Sequence, residues 1–198
     1  MAPIQLSRRG FVLSGVATLL AGCAPSLQEV AEPLPFASPP SPMADPRFKR
    51  QHVPYSGSEA PGSIVVNVDE RFLYAVEPDG WATRYGAAVG EEGLTFKGQA
   101  KVGRKAEWPS WKPTADMIGR KPRLAQYADG VPGGDENPLG ARALYLYQDG
   151  RDTMFRIHGT NEPWMIGTAV SNGCIRLSNE DITELYDHTP TGTPVLVI

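Results

Sequence analysis

The sequence predicts a mainly β domain, sandwich or barrel-like, with one or two short helices and one long lid loop. Three observations lead there. From residue 63 to 198, short stretches alternate apolar and polar residues, the two-residue period of half-buried strands. Turn-forming residues separate them at short intervals, as in sandwiches and barrels. One stretch, 179–188, carries the spacing of an amphipathic helix.

In chain order, 63–68 and 71–76 form a hairpin joined at Asp69-Glu70. A third strand covers 81–89 after the turn Pro78-Asp79-Gly80, and a fourth covers 98–104. Strands 143–148 and 153–158 make a second hairpin around Asp149-Gly150. Strands at 174–177 and 194–198 complete the set. In the helix at 179–188, Ser178 or Asn179 caps the start and Glu180 and Asp181 suit the positive end of the dipole. Ile182, Leu185 and Tyr186 mark its apolar side. Between 105 and 139 lies a long segment rich in Trp, Pro and Gly, with one helical turn at 114–118. A connection of that length is functional or disordered, and Trp108, Trp111 and Met117 argue for order. It reads as a lid over a substrate.

Upstream of the domain, Ser7-Arg8-Arg9-Gly10-Phe11-Val12-Leu13 resembles a twin-arginine export signal within residues 1–22. The apolar run that follows is too short to span a bilayer. Leu20-Ala21-Gly22-Cys23 resembles a lipobox, with Cys23 the acylated first residue of the mature chain; the competing reading is ordinary cleavage near Ala24. With Ala24 rather than Asp after Cys23, the resemblance to lipoproteins implies a periplasmic protein anchored at the outer membrane. Residues 23–62, rich in Pro, Ser, Ala and Glu, suit an extended tether, whose more charged and aromatic end at 45–55 begins to dock on the domain. The chain carries net charge −3, which loss of Arg8 and Arg9 with the signal takes to −5. No basic stripe suggests a nucleic-acid partner. Three histidines, none in an HExxH arrangement, give no metal set, and no phosphate loop or other cofactor motif is present.

The chemistry concentrates in Phe155-Arg156-Ile157-His158-Gly159-Thr160 and Ser171-Asn172-Gly173-Cys174-Ile175-Arg176-Leu177. Side chains two apart on a strand share a face. Arg156 and His158 then point one way, with Phe155 and Ile157 toward a core; Cys174 and Arg176 share a face, with Ile175 and Leu177 behind. Adjacent strands would present imidazole, thiol and guanidinium together, the equipment for acyl transfer through a cysteine thioester. With Cys23 acylated, Cys174 is the remaining thiol of the chain's two, so it is either reactive by design or buried and inert.

The two segments resemble the L,D-transpeptidase catalytic (YkuD-like) family, with its His-Gly element followed by Ser/Thr-x-Gly-Cys, an apolar residue and Arg. Here His158 precedes Cys174 by 16 residues; papain-like wall endopeptidases have the reverse order. The resemblance covers about 63–198. It departs at Asn172, where many members have His. It implies attack by Cys174 on the third residue of a peptidoglycan tetrapeptide stem and release of D-Ala. The thioester then passes to an amine on another stem or on an envelope protein, or to water, which would make the site a carboxypeptidase. His158 would be the general acid and base, oriented by the Gly159 carbonyl. Gly173 would supply the oxyanion backbone with the Cys174 amide. Arg176 and Gly159 fall among the substrate-contacting positions; Arg176 would stabilise thiolate, bind a stem carboxylate or form a structural salt bridge. His52, upstream of the domain, and His188, at a helix end, are poorer candidates for the base. Trp108, Trp111 and Trp164 either line the groove or simply pack. A wall-binding lipoprotein with a dead site is the reading from another class.

Overall fold

The computed structural model describes residues 45–91, 94 and 96–198; the leader, Cys23 and the first part of the tether lie outside them. The strands are β1 (Gln51–Pro54), β2 (Ile64–Asn67), β3 (Phe72–Glu77), β4 (Trp81–Gly86), β5 (Val89–Gly90), β6 (Gly98–Glu107), β7 (Arg142–Gln148), β8 (Arg151–His158), β9 (Ala169–Ser171), β10 (Ile175–Arg176) and β11 (Pro194–Val197). The α-helices are α1 (Ala115–Arg120) and α2 (Asn179–His188). Nine strands form one mixed sheet in the order β1-β4-β3-β2-β11-β6-β7-β8-β10, and β5 pairs with β9 beside it. The expected mainly β architecture with few helices is therefore present.

The centre of the sheet belongs to β2 and β11, which run parallel. Ile64, Val65 and Val66 are all buried, the continuous apolar run of a strand covered on both faces. Ile64, Val66, Leu144, Leu146 and Ile157 share one core with Ile182 and Leu185 of α2. That helix forms as its sequence suggests: the Ser178 hydroxyl accepts the Asp181 N–H at 3.0 Å, and Ile182 and Leu185 turn inward. The β7–β8 hairpin closes at Asp149-Gly150, φ 50° and 76°, the two left-handed residues of a type I′ turn.

The fold starts earlier than the tether boundary at 62. β1 pairs antiparallel with β4, and Phe48 is buried with Ala88 and Ile166. A Cβ on Gly167 would lie 2.2 Å from the Phe48 ring, so that glycine makes room for it. Arg50 reaches Asp181 and Glu184 of α2, each at 3.7 Å. His52 accordingly sits on a strand inside the fold, stacked on Trp81 at 4.6 Å and bonded to Glu77 at 2.9 Å.

Three strand boundaries also differ from expectation: the strand expected at 174–177 is only Ile175–Arg176, which leaves Cys174 in the turn before it. The stretch 81–89 breaks after Gly86, because Ala88 leaves β4 to exchange two backbone hydrogen bonds with Arg176. β6 runs past Arg104 to Glu107, since pairing with β7 resumes beyond a bulge between Val102 and Arg104. The lid begins after it and is ordered by an apolar cluster of its own: Trp111, Leu124 and Leu139, with Met117 and Tyr127 against them. At its base the fully buried Asn137 amide donates to the carbonyls of Val131 and Pro132 and accepts the Leu139 N–H.

Candidate active site

β8 and β10 run parallel with Ile175 opposite Ile157 and Arg176 opposite His158. Ile157, Ile175 and Leu177 are completely buried in the core. The alternation therefore works as read from the sequence: His158, Cys174 and Arg176 line one cavity of about 610 Å³. Phe155 departs from it, packing on the core and lining the cavity too. Nearby, Met154 has φ 65° and the β7–β8 register shifts, a bulge of the kind that re-aims side chains beside active sites.

Cys174 occupies a turn stapled by Ser171, whose hydroxyl accepts the Gly173 N–H at 3.1 Å and donates to the Cys174 carbonyl at 2.5 Å. Gly173 is obligatory there. Its φ is 113°, and a Cβ would lie 2.5 Å from both the Leu94 carbonyl oxygen and the Phe155 ring. Since the Gly173 N–H is committed to Ser171, the glycine shapes the turn, and the backbone donor it presents beside the sulfur is the Cys174 amide. Burial raises the pKa of the Cys174 thiol, against the Arg156 backbone N–H and the charges of Arg156 and Arg176.

His158 is buried, and its Nδ1–H donates to the Gly159 carbonyl at 2.6 Å. A carbonyl can only accept, so this bond assigns the proton of the neutral ring to Nδ1 and leaves Nε2 as the base, with the Leu139 carbonyl a second acceptor against the ring. Burial first, then the Arg176 charge, lowers its pKa to about 3. The resting pair is thus a neutral thiol and a neutral imidazole. The two are not hydrogen-bonded to one another, and a catalytic hydrogen bond of this kind commonly tightens only with substrate in place.

The two expected substrate-contacting positions differ in what they reach. Gly159 is buried behind the ring and is absent from the lining. Its N–H donates to the Arg142 carbonyl at 3.0 Å, so its part is to orient His158. Arg176 lines the cavity but is held by Glu162 at 3.1 Å, with both side chains largely buried. Burial raises the Glu162 pKa while Arg176 opposes the shift. Glu162 escaped the sequence reading because a lone acid in a loop carries no pattern. Among the tryptophans, Trp111 lines the cavity, whereas Trp108 is exposed and neither it nor Trp164 borders it. The lid also contributes Lys112, Arg120, Lys121 and Arg123 to the lining, so cations outnumber the acids Glu91, Asp116 and Glu162 in a chain that is acidic as a whole.

Comparison with known proteins agrees with this geometry. The family model described as "L,D-transpeptidase catalytic domain" (YkuD) matches residues 61–197. The chain is 39% identical over 139 residues to "Probable L,D-transpeptidase ErfK/SrfK" of Escherichia coli K12, covering 68% of this chain and 43% of that protein. It therefore spans less than half the length of that relative. Among solved structures, one from Brucella melitensis described as a probable carnitine operon oxidoreductase is 50% identical, with TM-score 0.53, over 78% of this chain and 96% of that one. The L,D-transpeptidase of Mycobacterium smegmatis shares the fold, with 21% identity and TM-score 0.50, over 68% of this chain and 57% of that one. With the family model spanning strands β2 to β11 and both halves of the His158–Cys174 site, the chain belongs to the L,D-transpeptidase catalytic domain (YkuD) family.

Proposed function

We propose that this chain is a peptidoglycan L,D-transpeptidase working through a thioester on Cys174. The observation that carries the reading is that Cys174 and His158 face one lidded cavity, with the imidazole Nδ1 bonded to the Gly159 carbonyl. As the sulfur attacks the carbonyl of the third stem residue, Nε2 takes the thiol proton. The new S–C bond forms, the C–N bond to the terminal D-Ala breaks, and the imidazolium returns its proton to the departing amine. Negative charge on the carbonyl oxygen falls to the Cys174 N–H. An incoming amine then attacks the thioester, gives a proton to Nε2, and the thiol is restored. The energy of the original amide is conserved throughout, so no nucleotide is needed outside the cytoplasm. The basic lining contributed by the lid suits a stem peptide that carries free carboxylates.

Incubating the protein with disaccharide tetrapeptides tests this. Cross-linked dimers lacking one D-Ala are the expected products. Tripeptides alone would make the protein a carboxypeptidase, and unchanged tetrapeptides would favour a non-catalytic wall-binding role. An envelope protein as acceptor would appear as a stem peptide attached to one of its amines.

We further propose that the protein is exported and lipid-anchored in the periplasm, at the outer membrane, on the grounds of Arg8-Arg9 and Leu20-Ala21-Gly22-Cys23. Cys23→Ser is expected to move it from the membrane to the soluble fraction or to leave the precursor unprocessed. Normal processing with unchanged membrane association would contradict the anchor.

A further inference from the structure

The peptide unit between Gly159 and Thr160 is gripped from both edges. Its carbonyl accepts the His158 Nδ1–H at 2.6 Å. Its N–H, on Thr160, donates to Asn179 Oδ1 at 3.1 Å. Resonance keeps these two groups in one plane, so whatever fixes the N–H fixes the direction of the carbonyl as well. The same Asn179 oxygen accepts the Ala141 N–H at 3.0 Å, on the loop that enters β7. One carboxamide oxygen thus joins the two loops behind the imidazole.

Helix capping does not account for this side chain. Asn179 is the first residue of α2, and the cap is already supplied by the Ser178 hydroxyl. Nor does Asn179 border the cavity, so it has no contact with substrate to make. The surrounding chain is nevertheless shaped around it. A Cβ on Gly140 would lie 2.1 Å from Asn179 Oδ1, and one on Gly159 would lie 2.2 Å from it. Two glycines therefore leave space for one amide oxygen next to the base.

We propose that Asn179 is a positioning residue for His158, holding the Gly159–Thr160 peptide plane so that the ring keeps its proton on Nδ1 and offers Nε2 to the Cys174 thiol. This rests on the thioester reading above. Two effects follow from the geometry. The carbonyl is aimed at Nδ1, and its acceptor strength rises because the N–H of the same amide is itself donating. In a histidine, the nitrogen that carries the proton is set by the hydrogen bond the ring makes. Without Asn179, the plane can rotate and the proton is free to move to Nε2, where it blocks the base. Burial keeps the ring neutral at neutral pH, so the two tautomers are the states to be distinguished.

The test uses the full chain labelled with 15N-histidine, the His158 signals being assigned by their loss in His158→Ala. The parent is expected to show a protonated, pyrrole-like Nδ1 and a pyridine-like Nε2. Asn179→Ala should shift both toward tautomer-averaged values and lower kcat for D-Ala release by roughly tenfold to a hundredfold, with KM unchanged. Asn179→Asp, which keeps an oxygen acceptor in place, should retain the parent tautomer and most of the rate. Should the alanine variant not fold, Asn179→Ser, whose hydroxyl is too short to reach both loop amides, reads the same two quantities. A loss of rate with the parent tautomer intact would overturn the proposal, and so would Asn179→Ala with parent rate and parent tautomer. A parent protein that never releases D-Ala would overturn the thioester reading instead, leaving the nitrogen signals to decide the role of Asn179.

Discussion

Cys174→Ser is expected to abolish release of D-Ala from a tetrapeptide donor, by about 10⁴-fold or more, and to leave the fold intact. The fold should survive because the hydroxyl is close in size to the thiol and no side-chain hydrogen bond of the turn runs through the sulfur. The turn around residue 174 depends on Ser171 and on the left-handed Gly173, and neither changes. The chemistry should not survive. A hydroxyl is far less acidic than a thiol and a much weaker nucleophile, and His158 alone, a base weakened by burial, does not compensate. Circular dichroism together with a D-Ala assay checks both halves. A serine variant that releases D-Ala at the parent rate would rule out the thioester.

His158→Ala should slow acylation of Cys174 by about 10²- to 10⁴-fold and change its pH dependence. Burial pushes the thiol up and the imidazole down to about 3, so at neutral pH the parent holds a protonated thiol beside a neutral base. The base is competent over the whole neutral range. Acylation by the parent should therefore lose its acid limb only well below the ordinary histidine value of 6.5. The alanine variant has no proton acceptor, so its remaining rate should climb with pH toward the raised thiol pKa. Stability carries the same signature. Below pH 6.5 the unfolded parent takes up a proton at His158 that the folded protein refuses until about pH 3, so the parent loses stability as pH falls through that window. His158→Ala should lack this contribution. Carbapenem acylation rates and urea midpoints across pH read the two effects, and a variant as fast as the parent near neutral pH would remove His158 from the role of base.

What the sequence made legible follows from local physics. Period-two alternation and the Asp149-Gly150 turn placed the β7–β8 hairpin, and Ser178 with the apolar spacing of Ile182 and Leu185 placed α2. The same alternation put His158 and Arg176 on one surface, because parallel neighbours in register keep their faces aligned, and the turn before β10 brings Cys174 to the same cavity. The missed features are tertiary. Phe48 and Arg50 sit at the end of a Pro-rich stretch whose average composition suggests a tether, and only the pocket formed with Ala88 and Ile166 shows that Phe48 is core. β5 and β9 have two and three residues, too few to carry a period. Glu162 and Asn179 act through partners distant along the chain: Arg176 in one case, and the amides of Ala141 and Thr160 in the other. Asn179 could be read from the sequence only as a possible cap, since a polar residue at a helix start usually is one.

Thioester formation on Cys174 shows in the mass of the protein after mixing with a tetrapeptide donor in the absence of any amine acceptor. A gain equal to the donor less D-Ala is expected, located by peptide mapping on the segment that contains Cys174 and removed by hydroxylamine. D-Ala release with no such adduct, or an adduct mapped to another residue, would contradict it.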